Sequence, residues 1–216
     1  MNNEDYNALT KKLDLRYKVH PWHGIEMGSE APEVVTAFIE IVPTDTVKYE
    51  IDKVTGYLKV DRPQKFSNII PALYGFIPKT YCDTLVADYC VEKIGRPGLH
   101  GDKDPLDICV LSERNITHGD LLLKAIPIGG FRMLDQGEVD DKIIAVMKTD
   151  EVYSQWKDID DVPPAIIARL KHYFLTYKIM PGVESTGCEI TDVYNKAEAH
   201  RVIELANKDY KNKYEK

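Results

Sequence analysis

The sequence predicts an α+β fold, mainly β, in which a small barrel of strands is flanked by helices. Three observations carry that expectation. Strand-like runs dominate the chain up to Lys148, turn residues part them at short intervals, and helical periodicity enters only after Pro163.

From Val34 the chain reads VVTAFIEIVP, TVKYEID and GYLKVDR, runs rich in β-branched and aromatic residues that suit a meander of three strands. Glu40 interrupts the first run, and Lys48 and Glu50 fall on one face of the second by the two-residue period. Those three side chains are expected to share a polar space. Between Arg62 and Gly101, scattered Pro, Gly, Asp and Tyr read as loops framing a site. Strand character returns at DICVLSE, LLLKAIPIGGFRM and KIIAVMK, which brings the count to six or so and suits a small antiparallel barrel. Two helices belong to the C-terminal half. Pro163 and Pro164 open the first, with Ile166, Leu170, Tyr173 and Phe174 on one side. Asn195 caps the second, supported by Glu198, with Val202, Ile203, Leu205, Ala206 and Tyr210 as its apolar side.

A chain of 216 residues with 44% hydrophobic content can bury a sizeable core, and nothing in it looks like a linker or a repeat. Residues 1–216 are therefore expected to form one domain, with 1–30 a peripheral N-terminal segment. A formal charge of −7 and the lack of a basic stripe argue against a nucleic-acid partner, while local lysines and arginines still allow a small anionic substrate. No secretory signal or bilayer-spanning segment is apparent. Four cysteines without CxxC spacing read as buried thiols in a reducing cytoplasm, not as zinc ligands or disulfides.

Asp102, Asp104 and Asp107 crowd three carboxylates into six positions ahead of an apolar strand, and Asp135 and Asp140 add a second acidic pair close to Lys142. Carboxylates held together repel unless cations neutralise them, and hard oxygen donors suit magnesium carrying a phosphate substrate. An EF-hand is disfavoured because Asp107 stands where its glycine belongs. Lys48, Arg62, Lys142 and Lys178 supply the complementary charge, and Tyr74 and Tyr177 offer hydroxyl donors. The histidines form no HExxH pattern, and His100 reads as an exposed loop residue. GxSxG, Walker and dinucleotide glycine signatures are absent, which leaves the chemistry to carboxylates.

With these residues in view the chain resembles the family I soluble inorganic pyrophosphatases. Five blocks carry the likeness in order: EIVPTDTVKYEIDKVTG, KVDRPQ, GDKDPLD, MLDQGEVDDKIIAV and HYFLTYK. The resemblance implies an OB-type five-stranded closed barrel and hydrolysis of inorganic diphosphate by a metal-activated water in a site with several Mg2+ ions. It implies Asp102, Asp107, Asp135, Asp140, Glu50 and, through water, Glu40 as metal ligands. Lys48, Arg62, Tyr74, Lys142, Tyr177 and Lys178 would bind phosphate, and Asp104 would orient or deprotonate the attacking water. A cytoplasmic homo-oligomer, hexamer or dimer, is implied as well.

The chain departs from the family pattern at Lys103, expected on an extended segment to point away from Asp102 and Asp104, and at Ile70, where many members have tyrosine. The segment from Thr80 to Leu99 is longer than in compact relatives. The rival expectation is a non-enzymatic OB-type barrel that binds nucleic acid.

Overall fold

Residues 18–65, 67–179, 181–182 and 187–215 are described by a computed structural model. The first seventeen residues of the expected N-terminal segment lie outside the described residues. Trp22, within the described part of that segment, is buried beside Phe38, Phe76, Tyr81 and Tyr210.

The strands are β1 Val35–Ile41, β2 Val47–Ile51, β3 Leu58–Pro63, β4 Leu73–Phe76, β5 His100–Gly101, β6 Asp107–Leu111, β7 Leu121–Asp135, β8 Glu138–Val139, β9 Lys142–Met147 and β10 Cys188–Asn195. The helices are α1 Thr84–Ile94, α2 Pro164–Thr176 and α3 Lys196–Tyr214. β1, β4, β6, β9 and β7 pair in that order, and β7 returns to β1, which closes a ring of five strands. This is the closed OB-type barrel that the resemblance implied.

Two details of the sheets differ from the sequence reading. First, the barrel is not wholly antiparallel: β6 and β9 run parallel, with Asp107 beside Lys142. An odd number of strands cannot alternate direction all the way round a closed ring, so at least one neighbouring pair has to run parallel. Second, β1 does not form a meander with β2 and β3. It pairs with β4 and β7, while β2 and β3 form a separate two-stranded ribbon.

β7 serves four partners along its length because it bends. Its ladder slips between Pro127 and Gly129, as expected where proline withdraws a donor. At Gly130 a side chain would collide with the ring of Tyr194 from β10, so the two strands cross closely only because the residue has no Cβ.

The segment around residues 80–99, read as loop, contains α1. Its buried residues are Val86, Ala87 and Cys90, and Asp83 makes no capping bond from its own side chain. Instead, the Asp209 carboxylate on α3 accepts from the backbone N–H groups of Asp83, Leu85 and Val86 at 3.0–3.2 Å. The helix therefore gets its cap from a residue far along the chain.

The two later helices behave as their periodicity required. Pro164 occupies the first turn of α2, and Asn195 Oδ1 accepts from the Glu198 N–H at the start of α3. Core residues of the barrel strands pack against α1 and α3 on one side and α2 on the other. Among the described residues no helix is long and apolar enough to cross a membrane.

Candidate active site

One cavity of about 290 Å³ opens at an edge of the barrel. Its walls include Glu40, Lys48, Glu50, Arg62, Tyr74, Asp102 and Asp104, and continue with Asp107, Asp135, Asp140, Lys142, Tyr177 and Lys178. Every side chain singled out from the sequence for metal, substrate or proton handling thus lies on one surface. Ile70 does not; it is buried in the core that faces α2.

The fold brings them together by five routes. Period-2 alternation on β2 presents Lys48 and Glu50 to the cavity, and Arg62 stands opposite Lys48 on β3. Asp61, which the sequence reading passed over, ties this ribbon: it accepts from Lys48 Nζ at 2.9 Å and from Arg62 at 2.5 Å, so both cations are held in place before any ligand arrives. On β1, Glu40 is 7% exposed and accepts from the Ile51 N–H at 2.6 Å. Burial pushes its carboxyl up to about 8, against that hydrogen bond and with Asp107 and Glu50 adding repulsion.

The aspartate segment is a turn, not an extended strand. Lys103 adopts a positive φ of 63°, and the Asp104 N–H donates to Asp102 Oδ1 at 3.0 Å. This local bond replaces the alternation expected there, yet the outcome for Lys103 is the same: its side chain is exposed and absent from the cavity wall. Burial, then the charges of Asp140 and Asp107, drive the Asp102 carboxyl up to about 9.

At the parallel seam Lys142 Nζ lies between Asp107 and Asp140 and bonds to both. Burial disfavours its charge, but the two carboxylates outweigh burial and hold it as ammonium. Asp140 is nevertheless raised by burial and by Asp107. The Tyr74 hydroxyl donates to Asp107 Oδ2 at 2.5 Å, and burial holds its proton well above the usual phenol range. Beyond α2, Lys178 pairs with Asp135, whose carboxyl stays low because this ion pair overcomes its partial burial. Cys188 Sγ lies 3.3 Å from the other Asp135 oxygen, and Cys82, Cys90 and Cys109 are buried.

Among the described residues no three His, Cys, Asp or Glu side chains are arranged to hold a metal. Ammonium groups explain why. Lys142 draws Asp107 and Asp140 to itself, and Lys53 pairs with Asp104. The donor set still fits magnesium. It consists of hard carboxylate oxygens, and their mutual repulsion is the signature of a site in need of more positive charge.

Lys53, Asp61, Glu138 and Tyr49 are the polar site residues absent from the sequence expectations. Lys53 belongs to a turn with the signature Asp52-Lys53-Val54-Thr55-Gly56, which announces a hairpin but not its direction. His100 is exposed, 3.5 Å from Glu138, and lies outside the cavity wall.

The sequence model of a family described as inorganic pyrophosphatase matches residues 37–211. An inorganic pyrophosphatase of Chlamydia caviae is 52% identical over 200 residues, covering 91% of this chain and 93% of that protein. One from Chlamydia muridarum is 52% identical over 198 residues, covering 90% and 95%. Among solved structures, inorganic pyrophosphatase from Thermus thermophilus superposes with a TM-score of 0.73 at 29% identity, over 87% of this chain and 97% of that one. The Helicobacter pylori enzyme gives 0.71 at 32% identity, over 87% and 98%.

Proposed function

The chain belongs to the inorganic pyrophosphatase family and hydrolyses diphosphate to two orthophosphates, and from that premise we propose which of its side chains perform the reaction. Asp102, Asp107, Asp135 and Asp140, with Glu50 and, through water, Glu40, hold several magnesium ions. Lys48, Arg62, Tyr74, Lys142, Tyr177 and Lys178 bind the phosphate groups, and Asp104 directs the attacking water. The observation that carries this assignment is the gathering of all these groups around one cavity.

Magnesium, when bound, supplies positive charge to the phosphate oxygens and acidifies water. The protein side chains divide the remaining work. Arg62 and Lys48, steadied by Asp61, grip the oxygens of one phosphate. Tyr74 and Tyr177 keep their protons at neutral pH, since burial raises both, and donate to substrate oxygens. Lys142 and Lys178 remain cationic and neutralise charge that develops on the leaving phosphate. Asp104, half exposed at the rim, accepts or steers the proton of the water that attacks in line.

Phosphate release from diphosphate with magnesium, in the presence and absence of a chelator, tests the metal assignment. Release that stops with chelator and returns on adding magnesium is the expected result; undiminished release in chelator would overturn it. The rival nucleic-acid barrel requires salt-sensitive binding to single strands that survives loss of Asp102, Asp107 and Asp140. The acidic cavity wall gives it no support. We extend the proposal to a single-domain cytoplasmic enzyme that assembles as a homo-oligomer, hexamer or dimer.

A further inference from the structure

We propose that Lys53 is an additional phosphate-binding residue, whose ammonium passes from the Asp104 carboxylate to an oxygen of incoming diphosphate and so frees Asp104 for the water. This inference rests on Asp104 being the water-directing group.

Lys53 lines the same cavity as Lys48 and Arg62, and it projects from a built turn. The backbone on one side is fixed where Glu40 holds the Ile51 N–H. On the other, Asp52 Oδ1 accepts from the Thr55 N–H and hydroxyl at 2.9 and 2.8 Å, and the Gly56 N–H closes onto the Asp52 carbonyl at 2.8 Å. Only the side chain remains free to move. Among the described residues its ammonium has one carboxylate partner, Asp104, and the Asp104 side chain has no other hydrogen-bonding partner.

The two side chains are 48% and 45% exposed, against 4% for Lys142. Lys142, itself buried, is held by two acids at once, whereas a half-solvated pair is weak and easily exchanged. Diphosphate brings more negative charge to the rim than a single carboxylate, so the ammonium gains by moving to it. Asp104, until then engaged by Lys53, is left with free lone pairs beside the water. No covalent change is involved; one ion pair replaces another.

Calorimetric binding of methylenediphosphonate in magnesium tests this with the wild type, Lys53→Met, Asp104→Asn and the double variant. Lys53→Met should weaken binding by about tenfold, and Lys53→Arg should restore it to within about threefold of the wild type. Asp104→Asn removes the competing carboxylate, so it should tighten binding at least about fivefold with Lys53 present and less than about twofold with Met at 53. Wild-type affinity in Lys53→Met, or an equal Asp104→Asn effect in both backgrounds, would overturn the exchange. An Arg62→Met arm separates the two levels of the argument. If that variant loses binding while Lys53→Met does not, the role of Lys53 fails and the cavity assignment stands; if neither variant loses binding, the cavity assignment fails.

Discussion

Glu40 and Asp150 are buried to nearly the same degree, 7% and 5% exposed, and burial pushes both towards the protonated form. Their surroundings then take them in opposite directions. Asp150 accepts from the N–H groups of Tyr153, Glu113 and Val152 at 2.7–3.0 Å and from the Ser112 hydroxyl at 3.0 Å, and these donors hold its carboxyl below the usual range. Glu40 has one backbone donor and faces Asp107 and Glu50, and it ends at about 8. Asp150, which pins two loops together, has four neutral donors to satisfy its charge. At Glu40 the neighbouring acids leave the charge unmet, an arrangement that suits the metal-site role proposed for it.

The sharpest way to break this contrast is to alter one acid of each kind and watch different properties fail. Asp104→Asn should lower kcat about a thousandfold with the fold intact; a variant within tenfold of the wild type would remove Asp104 from the mechanism. Asp150→Ala should leave kcat unchanged and cost about 3 kcal/mol by stranding several donors, a fall in Tm of about 8 °C. A loss of turnover at unchanged Tm would erase the distinction. Asp107→Ala should weaken magnesium binding about a hundredfold, while Lys103→Ala, exposed and off the cavity wall, should leave it within twofold. Equal affinities in a magnesium titration would count against the ligand set.

The last effect concerns pH. With chelator present, the unfolded chain releases the Glu40 proton near the ordinary carboxylate value, and the folded chain keeps it until about pH 8. Over that interval the unfolded state binds fewer protons, so this group makes stability fall as pH rises, by at most about 1.4 kcal/mol per unit. Asp150, held low, contributes stability at neutral pH that is lost as pH falls through its folded value. Denaturant titrations of Glu40→Gln across pH 5–8 should show a flatter curve than the wild type; a curve of identical slope would show that the cavity acids are not crowded as described.

Much of this was legible in the sequence because the relevant rules are local. Alternation along β2 put Lys48 and Glu50 on one face, Pro164 and Asn195 announced two helices, and the GDKDPLD block declared an acidic cluster, though not the turn it forms. What escaped depends on distant residues. α1 makes no side-chain cap of its own and takes one from Asp209, so the bonds that fix its start come from far along the chain. The parallel seam follows from how many strands close the ring, which no single segment records. Lys53 sits past the end of β2, where a period-2 argument no longer says which way a side chain points.

That seam has a consequence for how the acids meet. Where neighbouring strands run in opposite directions, the beginning of one abuts the end of the next, and the segments leading into them emerge at opposite rims. β6 and β9 instead start from the same rim, so the stretches that feed them, 102–106 and 136–141, surface side by side although long β7 separates them in the chain. An even-numbered barrel could alternate throughout and would deliver those two acidic stretches to opposite ends; strand parity is what makes them neighbours.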